Sequence, residues 1–488
     1  MPELARLAAD WAVTEQPRPP QRLSLRGMAR VGLDLVITAA VIGLGLTLAT
    51  SGVDLGIVSV HGAAKPLLIL LVVVPVRIAV GGRSWLADLL QHAAAHAAIL
   101  LRLVQARVSP AVADTLFAVI TVRAASLVAA FFANIVFEPA MTRGFTLPFA
   151  NARFAEVFGA WDSGWYWDIA TRGYYFHADA PSSVAFFPLY PMLMRAAAAP
   201  FGGGGAATWI AGIVVGLAAY VLALIAVHRL AEALLGTREA ARRTVLYIAV
   251  FPWSLFMTQV YAESLFLLTS VLAVSRAYDR QWWRAGMWAA LATLARPNGF
   301  LVAVPLALMA LQGGPSVRVA AARLAALLPV PAALAGFSAY VYTIAGDPLG
   351  WLSAQAHWGY SLGHPPWQQL QRMLGAFIDH GAYGYFFSSE IAPFELLHGA
   401  SALVFIALTP LIFRHLGAAM GAYVLVSLLL PLSSNTLEGL GRYVSVLFPA
   451  FMLVASVTSN RWHEGVVIVS LVFSTLLTCL FVTWQPIY

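Results

Sequence analysis

Residues 207–227 read ATWIAGIVVGLAAYVLALIAV, twenty-one residues without one charge. A helix needs about 20 such residues to cross the hydrocarbon core of a bilayer. Residues 31–50 and 465–483 are similar stretches. In lipid every backbone N–H and C=O must be paired within the chain, which leaves helices or closed barrels. These runs are too long and unbroken for barrel strands, which alternate over about ten residues. The rest of the chain agrees: 60% of its 488 residues are hydrophobic and 10% charged, against about 25% charged in a soluble protein. The expected class is an all-α polytopic membrane protein.

Working outward, the hydrophobic pattern predicts thirteen spans (range 11–14), at 31–50, 64–81, 111–137, 183–200, 207–227, 244–259, 261–278, 286–311, 324–345, 398–414, 418–433, 441–458 and 465–483. Arg18, Arg22, Arg26 and Arg30 precede the first and set a cytoplasmic N-terminus. Residues 1–30 read as a flexible cytoplasmic tail without a cleavable signal. Residues 31–110 read as a two-span extension whose segment 86–105, with Asp88, His92, His96 and Arg102, is an interfacial helix. Residues 111–488 form the main domain, with long outer loops at 138–182 and 346–397. Large loops on one face suggest a site built there. In this count Arg318, Arg323, Arg414 and Arg461 fall inside as expected, but the arginine-rich 228–243 falls outside and residue 260 is an inner turn. A re-entrant 183–200 would move 228–243 inside and displace the loops that follow.

The net charge is +7, and of 29 basic residues all but Lys65 are arginine. Here basic residues set orientation and imply no nucleic-acid partner. Cys479 is the single cysteine, which excludes an internal disulfide and a cysteine metal site. His92 and His96 are spaced as two ligands on one helix face but lack a third. The glycines 202–205 lack the Lys-Ser/Thr of a phosphate loop and read as a tight turn. There is no D-x-D, and Asp162 and Asp168 do not share a helix face. No metal or other cofactor is expected.

The segment richest in chemistry is 154–191, FAEVFGAWDSGWYWDIATRGYYFHADAPSSVAFFPLYP. Its aromatics fit an interfacial belt, with Asp162 or Ser163 capping a short helix. They fit equally a carboxylate at the membrane surface acting as general base beside rings that stack on a sugar. Glu263 and Arg296 lie in or near apolar spans, where each charge needs a partner. They are a candidate intramembrane pair. Gln355, His357 and Trp358 in the second outer loop are candidate sugar or phosphate ligands, or merely solvated.

The strings W-D-S-x-W-Y, I-A-x-x-G-Y and A-F-F-P-L-Y-P resemble the signature of PIG-V-like mannosyltransferases, of the GT-C superfamily of membrane glycosyltransferases. Trp161, Asp162, Ser163, Trp165, Tyr166, Ile169, Ala170, Gly173, Tyr174, Phe186, Phe187, Pro188, Tyr190 and Pro191 carry the match. F-P-W-S with Y-A-E-S-L-F at 251–266, A-R-P-N-G at 295–299, W-G at 358–359 and G-R-Y…F-P at 441–449 follow in order. The resemblance covers roughly 111–485 and leaves 1–110 outside it. It implies a GT-C fold in an integral, bacterial plasma-membrane protein. The implied reaction moves mannose from a polyprenyl-phosphate donor to a lipid or glycan acceptor on the extracytoplasmic face, with inversion. Asp162 would be the base. Trp161, Trp165, Tyr166, Asp168, Tyr174 and Tyr190 would shape the substrate site. Arg442, with Tyr443, would meet the donor phosphate, because a planar guanidinium pairs phosphate oxygens bidentately. The rivals are a transporter of polyprenol-linked substrates and a non-catalytic membrane scaffold.

Overall fold

The computed structural model describes residues 109–149, 152–361, 363–387 and 393–487, with scattered positions between 29 and 77. The chain forms two compact units, Met1–Ala106 and Arg107–Tyr488. In the first, a two-residue antiparallel ladder pairs β1 (Val53–Asp54) with β2 (Ser59–Val60), and Arg77 Nε donates to Asp34 Oδ1 at 2.9 Å. The expected tail at 1–30, the full spans 31–50 and 64–81, the interfacial helix 86–105 and the pair His92 and His96 lie outside the described residues.

Among its described residues the second unit is built of helices joined by loops, with no β-strand. It opens with α1 (Pro110–Val136), α2 (Arg153–Glu156), α3 (Ser163–Arg172), α4 (Leu189–Ala198), α5 (Gly205–Leu235) and α6 (Arg238–Val250). Then come α7 (Glu263–Tyr278), α8 (Trp282–Ala295), α9 (Ala303–Leu311), α10 (Val317–Ala325), α11 (Pro329–Ala345) and α12 (Gly350–Ser353). The last are α13 (Gln368–Phe387), α14 (Pro393–Leu416), α15 (Ala418–Leu432), α16 (Leu440–Ser445), α17 (Phe448–Val457) and α18 (Asn460–Val482). Among the described residues five helical stretches, α1, α5 and α18 among them, are long and apolar enough to cross a membrane, and three more apolar helices are shorter. The exposed sides of the long helices are oily: Ile120 and Val128 on α1, Val214 and Leu222 on α5, Val469 and Val472 on α18. Such contiguous apolar exposure suits lipid contact. The chain is an integral membrane protein.

Between helices, lipid supplies no hydrophobic drive, so close contact rests on small residues. A Cβ on Gly286 of α8 would stand 1.9 Å from the Ala326 carbonyl oxygen, and one on Gly299 as close to that of Ala292. Arg123, buried in α1, donates to the Ala249 carbonyl at 2.9 Å, at the end of α6, and to Ser254 Oγ at 2.6 Å.

Contacts between helix ends define two ends of the bundle. At one, Asp114 near the start of α1 holds Arg238 of α6 through two 3.0 Å bonds, and Arg243 donates to the Thr458 carbonyl beyond α17. At the other, the chain after α1 meets the end of α18, where Ala140 N–H bonds the Thr483 carbonyl. Trp167 Nε1 bonds the Gly205 carbonyl there, at 2.8 Å.

These contacts correct four expectations. Residues 183–200 do not form a span: a 3-10 turn at Ser183–Ala185 is parted from the ten-residue α4 by extended backbone at Phe186. Both α3 and the start of α5 lie at the Asp162 end, so the chain has not crossed between them. Residues 286–311 are not one span either. The chain leaves helical geometry at Arg296 (φ −148°, ψ 152°) and returns along α9, because Pro297 disfavours helix at the residue before it. As a result, 228–243 sits with Asp114 rather than at the Asp162 end. The turn at 258–262 sits at the Asp162 end, with Val260 N–H bonded to the Phe158 carbonyl. With one crossing lost and one gained, every later loop keeps the end of the bundle that the count gave it. The turn at 202–205 does form, with Gly202 and Gly203 at φ +85° and +65°, but it joins α4 to α5.

Candidate active site

At the Asp162 end the helices surround a cavity of about 990 Å³. Asp162 comes into it from the loop that leads into α3. Trp161, just before it, holds φ +55°, a left-handed conformation costly for a bulky residue and typical of functional sites. Its ring packs on Trp484 at 5.1 Å. Tyr261 fixes the loop: its hydroxyl accepts the Asp162 N–H and donates to the Ala160 carbonyl, each at 3.1 Å. Gly164 leaves room for the Phe145 ring, which a Cβ would meet at 2.4 Å.

Arg442 enters from α16, a two-turn helix introduced by Gly439 at φ +74°. Its neighbour Gly441 lies flat on Trp253, whose ring a Cβ would meet at 2.2 Å. His398 stacks on the same indole at 4.4 Å and accepts the Gly441 N–H at 3.1 Å. Held there, Arg442 Nη1 donates to Asp162 Oδ2 at 2.6 Å. Its Nε donates to Glu263 Oε1 at 2.8 Å. Its cation lies 4.7 Å from the Tyr261 ring centre.

Glu263 starts α7, wholly buried, and also receives Arg296 Nη1 at 2.8 Å. The candidate pair Glu263–Arg296 therefore forms, as half of a chain running Asp162–Arg442–Glu263–Arg296. Arg296 covers the Tyr443 ring at 4.7 Å. A buried carboxylate bearing two guanidiniums has most of its desolvation cost offset by those charges.

Aromatic side chains build the opposite wall. Trp165 stacks on Phe186, with centres 5.7 Å apart and planes at 10°, and meets Trp358 edge-on at 4.9 Å. Tyr166 also lines the cavity but is 5% exposed, and burial pushes its phenol well above the usual range, so it stays protonated. Asp168 pairs with Arg172 at 3.3 Å near the same cavity.

Gln355 and His357 line the cavity, yet their polar atoms tie loop to loop. Gln355 Nε2 donates to the Ala185 carbonyl at 3.0 Å, and His357 Nε2 meets that of Ala178 at 2.8 Å. Tyr174 and Tyr190 do not reach the cavity. Their hydroxyls bond the carbonyls of Phe186 and Gly212, each at 2.9 Å, behind its wall. They shape the site only by supporting it. Among the described residues no cluster of three or more His, Cys, Asp or Glu could hold a metal.

Glu438, Tyr360, Arg172, Tyr175, Trp484 and the strand of loop at 141–146 line the cavity unforeseen. Glu438 had a signal: it is a carboxylate in a short outer loop four residues before Arg442. Trp484 follows the last span and looks like a belt residue. Nothing local marks it for the site.

No curated protein sequence matches the chain. Solved structures of the oligosaccharyltransferase of Archaeoglobus fulgidus are similar at low level. Its apo form is 13% identical with a TM-score of 0.40, covering 75% of this chain and 56% of that one. A form in complex with an inhibitory peptide and a dolichol-phosphate is 14% identical with a TM-score of 0.38, covering 75% and 56%. The chain thus spans little more than half the length of these proteins. Residues 115–314, which hold Asp162, Glu263 and Arg296, match the model of the mannosyltransferase (PIG-V) family, and over them the chain is PIG-V-like.

Proposed function

We propose that the protein is a membrane glycosyltransferase of GT-C type, which moves mannose from a polyprenyl-phosphate donor to a lipid or glycan hydroxyl. The observation that carries this reading is the 2.6 Å contact between Asp162 and Arg442 inside an aromatic-walled cavity. The PIG-V match supports the sugar and the reaction class. The arginines 229, 238, 242, 243, 318, 323, 414 and 461 lie at or beside the helix ends grouped with Asp114, remote from Asp162. By the positive-inside tendency that end is cytoplasmic, which makes the cavity extracytoplasmic.

In the reaction, Asp162 takes the acceptor's hydroxyl proton as that oxygen attacks the anomeric carbon from the face opposite the phosphate. The anomeric C–O bond breaks, configuration inverts, and the electron pair leaves on phosphate. Arg442 spends one donor on Glu263 and one on Asp162, and its remaining N–H groups are free to meet phosphate oxygens. Glu263 keeps the guanidinium in place while charge builds on the leaving group, the kind of preorganised stabilisation that costs no reorganisation. The rings of Trp165 and Trp358 offer faces and edges to the sugar.

Incubating the purified protein with labelled polyprenyl-phosphate-mannose and a membrane-lipid extract tests this. Label should pass to a new lipid or glycan product. Label that crosses vesicle membranes unaltered would instead mark a transporter, and label that does neither would mark a scaffold.

A further inference from the structure

Glu438 is a carboxyl the scheme above leaves without work. It sits in the loop between α15 and α16, half-buried, and lines the cavity with Asp162 and Arg442. The loop is fixed from both sides. Glu438 N–H bonds Thr436 Oγ1 at 3.1 Å, and its carbonyl accepts the Tyr360 hydroxyl at 3.3 Å. Among the described residues no hydrogen bond or ion pair reaches its side-chain carboxyl. The charges around it are Asp162 from the α3 loop, Glu395 from α14 and Arg442 from α16. Glu395 already holds Arg372 at 3.1 Å, and Arg442 bonds Asp162 and Glu263 rather than Glu438. Burial, then the two carboxylates, push the Glu438 carboxyl up to about 7, with Arg442 opposing.

We propose that Glu438 is the second proton carrier of this site, protonated when an anionic phosphodiester occupies the cavity and donating that proton to the departing phosphate. The inference rests on the glycosyltransferase reading. The charge balance explains the need. Asp162, Asp168 and Glu438 share the cavity lining with Arg172, Arg296 and Arg442, and Glu263 behind them cancels one cation. A further anion fits only when one carboxyl is neutral. The others are each in an ion pair, so the proton goes to Glu438.

The step balances. The acceptor O–H proton moves to Asp162, the acceptor oxygen bonds the anomeric carbon, and the anomeric C–O bond breaks. The Glu438 proton moves to the phosphate oxygen that gains the electron pair. The phosphate leaves as a monoanionic monoester, Asp162 is left neutral and Glu438 charged, and exchange with water resets both. A phosphate monoester has its second ionisation near 6, close enough to Glu438 for the transfer to run nearly level. Such matching favours general acid catalysis.

The probe is farnesyl-phosphate-mannose, a diester with one fixed negative charge across neutral pH. The protonated fraction of Glu438 falls as pH rises through about 7. If only that form binds the donor, the apparent donor KM of the wild type should rise about 30-fold between pH 6 and 8.5. Calorimetry at pH 7 in two buffers of different ionisation enthalpy should register uptake of about half a proton on binding. In Glu438→Gln both the KM rise and the uptake should vanish, and kcat should drop about 10²–10⁴-fold. Glu438→Asp should regain the pH-dependent KM, which a merely structural role would not predict. A Glu438→Gln enzyme with wild-type pH profile, or a wild type that transfers mannose without proton uptake, overturns the proposal. Uptake and binding without transfer would sink the glycosyltransferase reading and the acid role with it, and leave Glu438 only as the group whose protonation accompanies donor binding. Absence of both binding and transfer overturns both.

Discussion

Glu263 makes two bonds through a single oxygen, to Arg296 and to Arg442, each at 2.8 Å, with none of its surface exposed. Removing it leaves two guanidiniums in a buried place without their counter-charge. Glu263→Ala should therefore lose about 3–5 kcal/mol of stability, read as a lowered Tm of the purified protein in detergent. A change under 1 °C would mean the cations find other partners. Arg442→Ala should raise the donor KM more than the acceptor KM, because the proposed reaction assigns its remaining N–H groups to the donor phosphate. Equal changes in both would reduce Arg442 to a membrane-interface anchor. Glu263 and Arg296 were legible as a pair, since a charge beside lipid is costly and points to a partner, and Asp162 and Arg442 through the resemblance of their motifs to a known family. The connection among them was not, because α3, α7, α8 and α16 are brought together only by packing. Tyr174 and Tyr190 resembled site residues by type alone, and a tyrosine motif does not say whether the hydroxyl faces a cavity or a neighbouring carbonyl.

At the scale of elements, the short helix α16 works as a mount for Arg442, pressed on Trp253 through Gly441. Gly441→Ala places a methyl 2.2 Å from that indole and should tilt α16. Overpacking of this kind costs about 1–3 kcal/mol. The expected result is a folded protein with transfer lowered as in Arg442→Ala. Wild-type turnover would show that the contact has slack. The break at Arg296–Pro297 is the other decisive element. The 26 residues at 286–311, apolar but for Thr293, Arg296 and Asn298, look like one span, and the proline argues only that helix is disfavoured before it. That the chain reverses there is decided by Gly299, which packs on the Ala292 carbonyl, a contact no periodicity reveals. The same limit applied to 183–200, where composition matched a span but the continuous helix is ten residues long.

For the whole molecule, the membrane class followed from composition and run length, since lipid allows so few backbone solutions. Sidedness depends on counting every crossing, and two miscounts cancelled. The resulting arrangement puts Asp179 and Arg461 at opposite ends. In a Cys479→Ser background, cysteine at 179 should react with a membrane-impermeant maleimide on intact cells, and cysteine at 461 only after lysis. The reverse pattern would turn the cavity to the cytosol. The function hangs on the carboxylate at 162, and the most direct measurement is single-turnover mannose transfer by Asp162→Asn beside wild type, at equal folded concentration and saturating donor. Transfer should fall about 10²–10⁴-fold with donor binding retained; turnover equal to wild type would contradict a base at this position.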